Sequence, residues 1–208
     1  MNVLYELFKD EFGDGIPYKS IPEDFFVKYK GILPDSLLEF WREENWCSYG
    51  DGLFWTVNPE EFTWLVEGWV KPFVDLPDSD YFVVARTAFG EFFCLCVDSL
   101  ATLTICCPFA TLFASDQLKK PEKNIENAAG LFFSGLEDAD CDFGDDDGEP
   151  LFQRALTKLG PLGANEIYGF VPMIPAGGSA SLVNLQKVRM DVHIDIISQM
   201  ADLELQWI

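Results

Sequence analysis

The sequence predicts an α+β fold, with short helices packed on small antiparallel sheets in two linked modules. Three observations carry that expectation. Gly52 to Val97 sets an apolar strand-like run, a capped amphipathic helix and a hairpin in succession. Three short helical patterns, the first two stopped by Gly, come before it. After Lys120 a second set of helix and strand patterns follows, interrupted by an acidic run from Glu137 to Glu149. The first module is expected over residues 1–120 and the second over 121–208.

Taken in order, Val3 to Phe12 places Leu4, Leu7, Phe8 and Phe12 on one helical face closed by Gly13. Ser20-Ile21-Pro22-Glu23 reads as a capping box opening a helix with Phe25, Phe26 and Tyr29, stopped by Gly31. Leu33-Pro34-Asp35 leads into a third helix with Leu37, Leu38 and Trp41 inward. Leu53 to Val57 is strand-like. Asn58 then suits a helix cap, Pro59 the first helical position and Glu61 a capping box, while Phe62, Leu65, Val66 and Trp69 recur at i, i+3, i+4 and i+7 before Pro72. Tyr81 to Thr87 and Glu91 to Val97 form a hairpin around Ala88-Phe89-Gly90, and Leu103 to Cys107 a further strand. Thr111 to Lys120 fits helix and strand equally.

In the second half, Pro121 to Phe133 reads as a helix with Ile125, Ala128, Ala129 and Phe132 on one side. Glu137 to Glu149 holds eight acids and no base, which predicts a loop or turn rather than a packed element. Pro150 opens a helix with Leu151, Phe152, Ala155, Leu156 and Leu159 inward, ended by Gly160-Pro161. Glu166 to Val171 reads as a strand, Pro175 to Gly178 as a turn, Leu182 to Met200 as one or two helices, and Leu203, Leu205 and Trp207 as an alternating edge strand.

With 208 residues, 49% of them hydrophobic, the chain has enough apolar surface for a globular core. The net charge of -21 is spread along it: residues 1–120 carry 20 acids against 9 bases, and residues 121–208 carry 15 against 5. That excess argues against nucleic acid or an anionic membrane as partner, since both need a basic footprint, and it favours a basic protein partner. Solubility alone is the plain alternative for the charge. No apolar run is long enough for a signal segment or a bilayer span, so a cytoplasmic location is expected. Cys94 and Cys96, with Cys106 and Cys107 further on, lack the paired C-x2-C spacing of a zinc site. Buried thiols in a reduced core are the expectation, with no metal and no cofactor.

Asp138, Asp140, Asp142, Asp146 and Glu149 fall in an EF-hand register, but Phe143 stands where the sharp turn needs Gly. A solvated acidic segment is the reading, with divalent-cation binding as the alternative. The lone histidine, His193, sits in an apolar helical stretch with no nucleophile nearby, so a packed or capping histidine is expected and no catalytic residue is assigned. Most tryptophans occupy periodic positions. Trp46 and Tyr49, in the polar stretch NWCSYGDG, are the expected surface aromatics.

The runs KGILPDSLLEFW, FWTVNPEEF and VVARTAFGEFF resemble the GAD-like domain, a bacterial module found in proteins encoded beside secreted toxins. PLFQRALTKLGPL, EIYGFVPMIPAGG and NLQKVRMDVHIDIISQM resemble the module that follows it in immunity proteins of type VI secretion systems, including a family that protects against DNases. The resemblance implies a non-enzymatic, cytoplasmic immunity protein that neutralises a cognate effector, with a DNase as the expected target. A nuclease's basic groove would attract a strongly acidic inhibitor. The candidate contact residues are Asp138, Asp140, Asp142, Asp145, Asp146, Asp147 and Glu149, with Trp46 and Tyr49 as anchors. A small-ligand or divalent-metal-binding regulatory domain is the alternative, and a hydrolase stands third.

Overall fold

The runs Tyr81–Thr87 and Glu91–Cys96 are apolar at successive positions rather than alternate ones, so strands made from them need cover on both faces. The computed structural model, which describes residues 3–120 and 125–208, provides it. In chain order the elements begin with α1 (Val3–Phe12), β1 (Ile16–Lys19), α2 (Glu23–Tyr29), α3 (Asp35–Glu44), β2 (Trp46–Tyr49) and β3 (Phe54–Thr56). A helical run follows. It starts as a 3-10 turn over Pro59–Phe62, passes through α4 (Thr63–Leu65) and ends in a wider π turn over Val66–Val70. Then come β4 (Tyr81–Thr87), β5 (Glu91–Cys96), β6 (Thr102–Cys106), β7 (Thr111–Ala114), α5 (Ile125–Ser134), α6 (Asp138–Cys141) and α7 (Phe152–Leu159). The chain closes with β8 (Glu166–Phe170), β9 (Leu185–Arg189), α8 (Met190–Met200) and β10 (Glu204–Trp207).

Among the described residues β1 to β7 pair antiparallel in sequence order, and β10 adds parallel to β7 at the far edge. The fold is α+β, built on one eight-stranded sheet rather than several small ones, with β8 and β9 as a separate pair. Phe93 and Leu95 point into a cluster with Tyr5, Phe8, Phe40, Phe54 and Phe133. Phe92, Cys94 and Cys96 point the other way, against Leu65, Trp69, Ile194 and Ile197. The sheet is thus a middle layer between two layers of helices. The six cysteines are free and buried, as expected.

Both sequence modules contribute to both clusters, and their seam is built around the hairpin tip. Phe89, wholly buried, stacks on Phe143 at 5.1 Å and meets Tyr168 at 5.9 Å and Phe152 at 6.5 Å. The Tyr168 N–H donates to the Ala88 carbonyl at 2.9 Å. Gly90, at φ +87°, leaves just enough room for the Ile167 side chain. Just before the tip, on β4, the Arg86 guanidinium lies 4.4 Å from the Trp55 ring centre and donates to the Ala164 carbonyl at 3.0 Å. Burial lowers its pKa to about 10, so it remains a cation at neutral pH.

Several expectations are corrected. Leu7 faces outward and Tyr5 takes its place in the core. The capping box at Ser20 does not form: Pro22 holds the cap position without a side-chain bond, and Asn45 Oδ1 accepts the Ile21 N–H instead at 3.1 Å. Asn58 does cap its helix, accepting the Glu60 N–H at 3.1 Å, but the Glu61 carboxylate pairs with Lys19 rather than closing a box. Strands β1 and β2 form where the local pattern gives no strand signal, and Thr111–Ala114 resolves as a strand. Leu185–Arg189 is a strand too, not helix, because pairing with β8 supplies backbone partners that local pattern does not reveal. The helix expected from Pro121 is seen over Ile125–Ser134, with Phe133 buried in the core. Pro121 to Asn124, and the side chains of Ile125, Ala128 and Ala129, lie outside the described residues.

Phe89→Ala removes a buried ring that both modules share, a change that costs about 3–5 kcal/mol in well-packed cores. We expect a matching fall in urea unfolding free energy; a loss below about 1 kcal/mol would show that the tip does not join the modules.

Candidate partner-binding surface

The acidic run 137–149 lies directly over the buried hairpin tip, and it is more ordered than its composition suggests. It opens with α6, in which Glu137 and Asp140 cap each other's backbone N–H groups. Cys141 is buried beneath and fixes this turn to the core. Asp142 Oδ1 accepts the N–H groups of Leu151 at 3.2 Å and Phe152 at 2.8 Å, which caps the start of α7. Partial burial raises its pKa. Asp145 Oδ1 accepts the Asp147 and Glu149 N–H groups, each at 3.0 Å, and its Oδ2 takes Arg154 Nη1 at 2.6 Å. That arginine bond holds the Asp145 carboxyl below its usual range.

The seven acids named from sequence therefore divide by role. Asp142 and Asp145 turn inward and hold the segment's shape, whereas Asp138, Asp140, Asp146, Asp147 and Glu149 are exposed. The EF-hand register is spent on backbone caps, since Asp140 and Asp142 accept N–H groups of their own chain. Among the described residues no group of three or more His, Cys, Asp or Glu side chains is placed to hold a metal ion.

Trp46 and Tyr49 do not serve as surface anchors. Each is 1% exposed, because β2 is an interior strand of the sheet, between β1 and β3. The exposed aromatic beside the acidic run is Phe109, 47% exposed, whose ring lies 5.7 Å from Phe143. Its only sequence signal is a bulky apolar residue after Pro108, at a strand end. Beside it, Asp138, Asp142, Phe143 and Phe152 line a pocket of about 380 Å³. His193 is a packed histidine. It abuts Gly169, where an added Cβ would sit 2.7 Å from Nε2, and burial lowers its pKa.

Underneath the acidic run, Glu91 faces Cys106 across β5 and β6 and is hydrogen-bonded to its thiol. Burial pushes the Glu91 carboxyl up to about 7 and the Cys106 thiol well above its usual value. A carboxyl with a raised folded pKa binds its proton more tightly folded than unfolded. Its burial is therefore harmless below the unfolded value and destabilises progressively as pH rises through about 7. Glu91→Gln should raise unfolding free energy by about 2–3 kcal/mol at pH 8 and leave it unchanged near pH 4. Denaturant titrations at the two pH values check this, and an equal effect at both would refute it.

Residues 3–109 match the family model of the GAD-like domain, and residues 126–201 match that of the C-terminal part of the type VI secretion immunity protein Tdi1. The second match supports a type VI immunity role. No functionally curated protein matches the chain. The crystal structure of Atu4351 from Agrobacterium tumefaciens superposes with a TM-score of 0.88 at 22% identity, over 98% of this chain and 92% of that one. The two share a fold. No helix among the described residues is long and apolar enough to cross a membrane.

Proposed function

Because the chain belongs to the GAD-like domain family and carries a Tdi1-type C-terminal module, we propose that it binds and neutralises a cognate type VI effector, a DNase, in the cytoplasm of the cell that makes it. The observation that carries this reading is the Tdi1-type match over residues 126–201. Charge supplies the recognition chemistry. A nuclease holds the phosphate backbone in a basic groove, and an inhibitor of net charge -21 is steered to that groove and competes with DNA there. Asp138, Asp140, Asp146, Asp147 and Glu149 form the electrostatic face, Asp142 and Asp145 hold its shape, and Phe109 provides the apolar anchor that Trp46 and Tyr49 do not. Inhibition proceeds by occupation of the effector's active or DNA-binding surface, without turnover by this chain, and neither nucleic acid nor membrane is its partner.

Co-expression with the product of the adjacent gene tests the reading. A stable complex in which DNA cleavage is blocked is the expected result, and neither complex nor protection would overturn it. Within that complex, Asp146→Asn/Asp147→Asn/Glu149→Gln should slow association about tenfold at low salt and flatten its salt dependence, with dissociation little changed. An association rate identical to wild type at low salt would remove this segment from the contact.

A further inference from the structure

The largest cleft among those described lies away from the acidic run. It opens between the two modules with a volume of about 740 Å³. One wall is the helical run after β3, presenting Glu61 and Trp64, and the other is the start of α8, presenting Asp191, Val192 and Asp195. Trp64 Nε1 donates to the Glu61 carbonyl at 3.0 Å, so the indole's polar atom is satisfied within its own turn and the rest of the half-buried ring is an apolar wall. The single basic residue lining the cleft, Arg189, is taken by Asp191 at 2.5 Å, while Glu61 is taken by Lys19. Asp195 accepts from the neutral Gln199 amide and, among the described residues, forms no ion pair.

Helix α8 turns Met190, Ile194 and Ile197 into the core, yet its outer face is also apolar. Val192 (48% exposed), Ile196 (39%) and Met200 (56%) stand at i, i+4 and i+8, a continuous stripe running from the cleft along the helix. An apolar stripe edged by acid on a chain of net charge -21 is complementary to one kind of occupant, an amphipathic segment carrying Lys or Arg.

We propose that the cleft between Trp64 and α8, with the Val192–Ile196–Met200 stripe, is a docking groove for a basic amphipathic segment of the effector. This rests on the immunity reading and adds a second contact to it. The segment's apolar side chains cover Val192 and Ile196 and abut Trp64, and its cation pairs with Asp195. Since the walls come from different modules, an occupant clamps the two together.

The test uses the full chain and the full-length product of the adjacent gene. Val192→Asp/Ile196→Asp, at exposed positions, should leave the thermal midpoint near wild type while weakening the complex at least about tenfold. Asp195→Lys should weaken it too, more at low salt than at high salt. Wild-type affinity in both variants overturns the groove while leaving the immunity reading intact. Absence of any wild-type complex overturns the immunity reading and the groove with it. If sedimentation shows a wild-type dimer that Val192→Asp/Ile196→Asp turns into a monomer, the stripe belongs to a second copy of this chain and the proposal fails.

Discussion

The burial of Phe89 is the contact on which the rest of the architecture depends. A hairpin tip normally meets water, and an aromatic ring there would be a liability. Here the tip of β4 and β5 enters the C-terminal module, where Phe143, Phe152 and Tyr168 surround the ring and the β8 backbone bonds to Ala88. The strands behind it are covered on both faces, so the tip cannot withdraw without uncovering the sheet. Arg86 reinforces the same seam, since a buried cation satisfied by carbonyls of both modules is costly to expose to a half-formed environment. The return of β10 to the edge of the main sheet closes the arrangement from the other end.

This seam decides what becomes of the acidic run that covers it. Eight acids in thirteen residues would repel one another in a free loop, yet two of them are converted into struts. Asp142 and Asp145 accept four backbone N–H groups between them, and Arg154 adds a charge-assisted bond. The outward acids consequently sit on a framework already ordered before any partner arrives, and ordering entropy is a main cost of association. In the proposed complex a preformed negative face beside an exposed Phe109 would join long-range steering to a short-range apolar contact.

The seam also leaves its own mark on a second surface, lined by other residues. Where the helical run after β3 meets α8, two modules joined at the hairpin tip leave an open cleft rather than a filled interface. The proposed occupant has the chemistry of the rest of the reading, a basic protein, and a groove built by both modules gives their association a use beyond stability.

Much of this was legible in the sequence. Hydrophobic periodicity located α1, α2, α3, α7, the central hairpin and the last strand, because side chains at period 3.6 or 2 must share a face wherever a core forms. The acid balance was equally plain, a net charge of -21. What the sequence left undetermined depended on long-range pairing. Trp46 and Tyr49 sit in a polar stretch that reads as surface, and only the neighbours β1 and β3 make it an interior strand. Leu185–Arg189 reads as helix until β8 lies beside it. The carboxylates of Asp142 and Asp145 look identical to those of Asp146 and Asp147 in composition, and the position of α7 and Arg154 alone separates struts from surface. By itself the sequence determined the fold class, the family and the strong negative charge of the chain. Tertiary structure decided which residues stand exposed to any partner, because exposure belongs to the packed chain and not to any residue's own pattern.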